Sequence, residues 1–377
     1  MNILMLCKAF PPITGGVETY SEQIAKAYLA RGAEVTVITQ SLGQCGWGVR
    51  EYPEGKVALF NTGAGGQGVT ALKMLRVVDA VAKVNSFDFI HATTWRPAMI
   101  PVALRRDEQI VISAHGRELL IVPRILAPIM WAVFRRANIV VAVSSATLER
   151  AKRQTGRKID TTRWLVAANG LSYASGNSGV ESAAEERITL SRPVRFLTLA
   201  RLVERKNVQG CIRAFQTLKA AGVTDFQYRV AGTGPLAREL EEQCEKAGLM
   251  EHVRFLGYVE SDDVPRLYAS SDVFLHPQID LEDNKDFEGF GLSIADAMSF
   301  GCLAIAGNGS GPSDFIEDGK TGLLVDGTNQ IQLVNTINAV IKDPEAHVRI
   351  ASAGKAYVTE VLSWDKHVET IFSALRG

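Results

Sequence analysis

The chain predicts two doubly wound α/β domains in tandem. Its length, an end-to-end alternation of strand-like and helix-like segments, and one aperiodic polar stretch between two such arrays lead to that expectation. At 377 residues it exceeds the size at which one hydrophobic core usually stops growing. Alternating elements of this kind build parallel sheets covered by helices.

In the first array, Asn2–Leu6, Glu34–Thr39, Phe87–His91, Ile110–Ala114 and Ile139–Ser144 are short apolar runs of the kind that form strands buried on both faces. Between them lie amphipathic stretches such as Val17–Arg31, closed by Gly32 as a helix C-cap. Ser172–Ser191 is rich in Ser, Gly, Ala and Glu and lacks periodicity, which places the linker there. The alternation then resumes with Val194–Leu199, Tyr228–Gly232, Val253–Leu256, Val273–Leu275, Leu303–Ala306 and Gly322–Val325. The expected division is 1–171, a linker over 172–192, a second domain over 193–362, and a terminal segment over 363–377.

Composition narrows the chemistry. Hydrophobic content of 46% and charged content of 22% are those of a globular domain. Five scattered cysteines without CxxC spacing argue against a disulfide framework or a zinc site and fit a reducing cytoplasm. No HExxH pair is present, so no metal site is expected. Met1–Phe10 carries its lysine on the wrong side for a signal peptide and fits a first buried strand better. The balanced net charge hides an asymmetry. Residues 1–170 hold 21 Lys and Arg against 12 Asp and Glu, whereas 171–377 hold 20 against 29. The basic excess is concentrated in 96–163, with 13 bases and 5 acids, and implies an anionic partner. No aromatic-interleaved basic motif accompanies it, so nucleic acid is not the expected partner.

Ligands of doubly wound sheets bind beyond the carboxyl ends of strands, and four motifs fall there. Gly15-Gly16 lies between the first strand and the first helix, where backbone amides and the helix dipole favour an anion; it is not a GxGxxG fingerprint. A tight turn alone would also explain it. His115 follows a strand in Ser113-Ala114-His115-Gly116-Arg117, where a packed or solvated histidine is equally expected. Arg201 and Lys206, five residues apart at the opening of the second domain, suit the neutralisation of a pyrophosphate leaving group. In the most specific motif, Glu288 precedes a Gly289-Phe290-Gly291-Leu292 loop and Asp296 follows eight residues after Glu288. If that stretch is helical throughout, the two acids stand roughly 12 Å apart along its axis. The spacing suits one carboxylate on a sugar and one on a ribose, with the pyrophosphate over the helix N-terminus.

With these motifs in this order, the chain resembles the retaining glycosyltransferases of the GT-B fold, family 4, over nearly its whole length, including Ser363-Trp364 at the start of the terminal helix. The resemblance implies two Rossmann-like domains with an interdomain cleft, and a C-terminal helix that crosses back to the first domain. It implies that Gly15 and Gly16 face the donor phosphates and that His115 lies near the donor sugar. Arg201 and Lys206 would bind the diphosphate. Glu288 would hold the sugar hydroxyls, and Gly289, Phe290, Gly291 and Leu292 would offer backbone amides. The family's second acid is normally a glutamate on the ribose, and here it is Asp296.

The implied reaction is retaining transfer of a hexose from a UDP- or GDP-sugar, with no metal and no cofactor besides that substrate. The acceptor is expected to be a glycan or lipid-linked glycan of bacterial lipopolysaccharide, O-antigen or exopolysaccharide biosynthesis. A peripheral position on the anionic inner face of the plasma membrane goes with it. Three rival readings stand beside this one. They are a phosphorylase or epimerase on the same architecture, a nicotinamide-dependent oxidoreductase, and a catalytically silent subunit that binds sugar nucleotides.

Overall fold

A computed structural model describes residues 1–40, 44–63, 65–155, 163–173, 192–281 and 285–376. The chain divides into two compact units, one of Met1–Gly170 with Ser363–Gly377 and one of Leu171–Leu362. Of the expected linker, 174–191 lies outside the described residues.

Unit 1 is built on an eight-stranded sheet in the order β3-β4-β2-β1-β5-β6-β7-β8. Its strands are β1 (Asn2–Cys7), β2 (Glu34–Thr39), β3 (Gly46–Tyr52), β4 (Gly55–Asn61), β5 (Phe89–Ala92), β6 (Gln109–Ala114), β7 (Ile139–Ala142) and β8 (Trp164–Val166). All pairings are parallel except the β3–β4 hairpin. β1, β5, β6 and β7 read as continuous apolar runs because helices cover both their faces, and their residues are almost all buried. Helix α1 (Gly16–Ala30) follows β1, and α2 (Gln67–Val84), α3 (Trp95–Ala103), α4 (Arg117–Leu120), α5 (Ala127–Arg136) and α6 (Ser145–Thr155) follow in turn.

The apolar stretch Leu119–Phe134 is broken between α4 and α5. Pro123 disfavours the helical region for the residue before it, and Pro128 sits in the first turn of α5, where its missing N–H costs nothing. α5 buries Met130, Val133 and Phe134 and leaves Ile129 exposed.

Unit 2 has a fully parallel six-stranded sheet, β11-β10-β9-β12-β13-β14. The strands are β9 (Val194–Leu199), β10 (Phe226–Ala231), β11 (Val253–Gly257), β12 (Val273–His276), β13 (Leu303–Gly307) and β14 (Leu323–Val325). Its helices are α7 (Val208–Ala220), α8 (Ala237–Lys246), α9 (Val264–Ala269), α10 (Leu292–Ser299), α11 (Gln330–Lys342) and α12 (Pro344–Val361). Counted within the unit, the strand order is 3-2-1-4-5-6, so it reverses between β9 and β12, where such sheets open a crevice for ligands.

The last helix, α13 (Trp364–Arg376), packs on α1 within unit 1. Phe372 stacks on Tyr28 at 5.8 Å, and Arg31 Nε donates to Asp365 at 2.7 Å. Gly170 makes this packing possible: a Cβ there would stand 2.3 Å from the Trp364 amide nitrogen. Among the described residues, no helix is long and apolar enough to cross a membrane.

Candidate functional site

In unit 2 the charged residues gather at the strand-order reversal. Lys206 ends a one-turn 3-10 helix (Glu204–Lys206) just after β9, and His276 ends the adjacent β12. Asn207 takes a left-handed φ of 57°, an uncommon conformation in which asparagine is enriched, and its amide donates to the carbonyls of Pro277 at 3.0 Å and Gly327 at 2.7 Å. Those bonds fix the direction in which Lys206 points.

Glu288 reaches the same place from the other side. Its loop is anchored by two flanking apolar side chains, Phe287 and Phe290, both nearly fully buried, with Phe290 on the Phe315 ring at 5.1 Å. Gly291, at φ 95°, turns the chain into α10. Gly311 closes against the loop: its amide donates to the Glu288 carbonyl at 2.9 Å, and a Cβ there would lie 2.3 Å from the Gly289 oxygen. The helix therefore begins at Leu292, after Glu288. Glu288 and Asp296 do not share a helix, and the expected axial separation does not apply.

The Glu288 carboxylate accepts from Lys206 Nζ in a short ion pair and from Arg205 at 2.6 Å, and Arg205 Nε also lies 3.3 Å from Asp286. Lys206 is 8% exposed and Glu288 9%. Burial alone would raise the Glu288 carboxyl, but the Arg205 and Lys206 charges outweigh it and hold the group well below its ordinary value. His276 Nε2 stands 3.3 Å from Lys206 Nζ and 3.4 Å from Glu288, while its Nδ1 is buried without a partner. Placing the ring proton on Nε2 lets it donate to Glu288 and leaves only a lone pair unmatched, the cheaper of the two omissions. Burial pushes this imidazole down to about 4, which keeps it neutral at pH 7.

Arg201 is not brought into this cluster. It is exposed, and it pairs with no acid among the described residues. Arg205, which the sequence did not single out, takes the place beside Lys206. Asp296 is likewise set apart. It is 3% exposed, and its carboxylate accepts from the Ser172 backbone amide at 2.7 Å. Burial raises its pKa to about 7 against the opposing bonds from Ser172 and Tyr173.

In unit 1, Gly15 and Gly16 are exposed at the N-terminus of α1, with the Glu18 side chain folded back over Gly15. His115 follows β6. Its Nε2 lies 2.9 Å from the Thr93 carbonyl, and its backbone amide donates to Glu118 at 2.7 Å. A carbonyl only accepts, so Nε2 carries the proton, and burial keeps the ring neutral by lowering its pKa. Nδ1 is then an acceptor, and it has no partner among the described residues. The Tyr20 ring meets the imidazole edge-on, with centroids 4.7 Å apart. Behind it lies a buried polar cluster of Tyr20, Tyr28, His91, Ser113 and His367, of which the sequence offers no local sign. Among the described residues, no group of three or more His, Cys, Asp or Glu is arranged to hold a metal.

Comparison with known proteins bears on both units. Residues 14–172 match the model described as Glycosyltransferase Family 4, and residues 183–357 match that described as Glycosyl transferases group 1. A GDP-mannose-dependent alpha-(1-6)-phosphatidylinositol monomannoside mannosyltransferase of Mycolicibacterium smegmatis is 28% identical, over 100% of this chain and 98% of its own. A putative colanic acid biosynthesis glycosyltransferase of Salmonella typhimurium is 35% identical over 51% of this chain and 45% of its own. The crystal structure of Anabaena HepE in complex with UDP and glucose superposes with a TM-score of 0.73 at 22% identity, over 100% of this chain and 99% of that one.

Proposed function

Since the chain belongs to glycosyltransferase family 4 (glycosyl transferases group 1) and has the GT-B fold, we propose that this glycosyltransferase works with retention and without a metal. The donor is a UDP- or GDP-sugar. GDP-mannose is the first candidate, because the full-length mycobacterial relative is named for it. The acceptor is a lipid-linked or surface-polysaccharide glycan.

The observation that carries this reading is the Glu288–Lys206–Arg205 cluster at the strand-order reversal of unit 2. An ammonium has three protons, and Glu288 takes one; the others are available to a diphosphate. Lys206, Arg205 and the exposed Arg201 would meet the charge that grows on the departing phosphate, together with the α10 N-terminus behind Gly289–Leu292. Glu288, kept ionised, would accept from the hydroxyls of the transferred sugar. The lone pair on His115 Nδ1 gives that residue the role of acceptor for a sugar hydroxyl, rather than that of an acid. Asp296 is assigned to the ribose side through the Ser172–Tyr173 backbone that it holds.

A second, separate observation favours a membrane-proximal acceptor. Ile125, just before α5, is 83% exposed and Ile129 in its first turn 41% exposed, next to the exposed Arg124 in the chain and inside its most basic segment. Exposed apolar side chains within a basic segment suit the interface of an anionic bilayer, at about 1 kcal/mol per base near the surface.

A thermal-shift series with UDP- and GDP-sugars tests the donor, since a ligand at a hundred times its dissociation constant adds about 2.7 kcal/mol. Transfer from the stabilising donor, followed by assignment of the product's anomeric configuration by NMR, tests the reaction. An inverted product, or stabilisation by no nucleotide sugar, defeats the proposal.

A further inference from the structure

Within unit 1, five hydrogen bonds join α1, β5, β6, α13 and the segment after β8, and their directions can be assigned one after another. His367 Nδ1 lies 3.0 Å from the Ala168 carbonyl, which can only accept, so Nδ1 bears the proton. Burial keeps His367 neutral, lowering it to about 4, so its Nε2 is a lone pair. The Tyr20 hydroxyl, 3.0 Å away, must then donate to it. With that proton committed, the Tyr20 oxygen accepts from Ser113 at 2.7 Å. Ser113 in turn accepts from His91 Nε2 at 2.7 Å. His91 is also neutral, burial having lowered it to about 3, so its Nδ1 accepts from Tyr28 at 2.8 Å. Every N–H and O–H along this path is used, and one carbonyl at its end sets the direction of the whole chain.

Tyr20 is the member that leads from this chain to the site, since its ring packs against the His115 imidazole in a T-shaped contact. We propose that Tyr20 and His367 are positioning residues for His115, so that the last helix of the chain tunes the reaction through one directed line of hydrogen bonds. The inference rests on the role given to His115 above. His367 touches no part of that ring by hydrogen bond; it acts through the Tyr20 hydroxyl. Trp364, 5.5 Å from Tyr20, packs on the same ring and would keep α13 seated when His367 is changed.

The test compares wild type with His367→Leu, His367→Gln and Tyr20→Phe, each checked by a melting curve. Glutamine retains both functions of the imidazole, an N–H for Ala168 and an oxygen that accepts from Tyr20; leucine retains neither. Tyr20→Phe keeps an aromatic ring at that position and removes the two bonds made by the hydroxyl. For His367→Leu the expected result is a kcat lowered about 10-fold, below the ~10²-fold cost of a 1 Å misplacement. UDP and GDP affinity should be unchanged. His367→Gln should return to within about threefold of wild type, with Tyr20→Phe between the two. A readout that needs no turnover runs beside it: the ring-current shift of the His115 imidazole protons by Tyr20 should collapse in His367→Leu and persist in His367→Gln. Wild-type kcat in a folded His367→Leu, or an unchanged His115 shift in that variant, overturns the inference. If wild type transfers no sugar, or His115→Ala transfers normally, the role given to His115 fails, and the shift alone then decides whether His367 positions the ring.

Discussion

Asp296 accepts a hydrogen bond from the Ser172 amide at 2.7 Å, so a buried carboxylate of α10 holds the first residues of unit 2. No cation pairs with it among the described residues, and this explains its raised pKa: the amides of Ser172 and Tyr173 compensate only part of the desolvation. Folded, Asp296 keeps its proton up to about pH 7, whereas an unfolded aspartate releases it near 3.8. Stability therefore falls as pH rises between those two values, by on the order of 4 kcal/mol in all, and stays at the lower level above pH 7. Asp296→Asn should flatten this slope, so that its melting temperature gains on wild type between pH 5 and pH 8. Parallel melting profiles for the two proteins would refute the assignment.

Lys206 and Arg201 should separate by stability rather than by rate. On the roles proposed above, either change to alanine would remove one cation from the diphosphate and should lower turnover by about 10²–10³. Lys206→Ala also leaves the buried Glu288 with Arg205 in place of two cations, costing about 1–3 kcal/mol, whereas Arg201→Ala should stay within about 0.5 kcal/mol of wild type. Turnover and urea unfolding of both variants check this. A normal rate in Arg201→Ala would remove that residue from the site.

Gly311→Ala should be among the more damaging single-methyl additions in unit 2. The added carbon meets the Gly289 carbonyl at 2.3 Å and Phe290 Cα at 2.5 Å, and backbone atoms cannot swing aside as a side chain does. About 1–3 kcal/mol of stability should be lost, together with donor affinity, as the Glu288 loop shifts. Calorimetric titration with the nucleoside diphosphate and a melting curve measure the two effects. Unaltered donor affinity would show that this loop does not contact the nucleotide.

Turnover should survive a chelator, because the positive charge assigned to the leaving diphosphate comes from side chains. Full transfer in EDTA is the expected outcome. Loss in EDTA with recovery on adding magnesium or manganese would count against it.

The double change Ile125→Asp, Ile129→Asp should abolish flotation with anionic vesicles while sparing turnover on a water-soluble acceptor analogue. Both side chains are already exposed, so folding should be little affected. Equal recovery of the wild-type protein on neutral and anionic vesicles, or none on either, would favour a soluble acceptor.

The parts of the fold that were legible are those whose burial leaves a continuous apolar run. β1, β2, β9, β12 and β13 all appear in the sequence within a residue or two of their ends. The β3–β4 hairpin was not legible. Trp47 and Val49 of β3 are more than half exposed, which blurs the alternation, and the turn at Pro53-Glu54 lacks the asparagine–glycine signature. β8, only three residues long, offers too short a pattern. At the candidate site, the glycine-bounded Glu288 loop announces itself because its chemistry is local. Whether Arg201 or Arg205 turns toward Glu288 depends on one turn of 3-10 helix, which residue spacing does not determine. His91 and His367 meet through Ser113 and Tyr20 although they lie far apart in the chain, so neither histidine carries a signal in its own neighbourhood.

The return of α13 to unit 1 also sets an order of events on the ribosome. Residues 1–170 emerge first, yet the helix that covers Tyr20 and Tyr28 is translated only after the whole of unit 2. That delay spans roughly 190 residues, or about 10–40 s at about 5–20 residues per second. Unit 2, continuous in sequence, can be finished while its predecessor still lacks a wall. Nascent unit 1 would wait through that interval without the helix that covers Tyr20 and Tyr28.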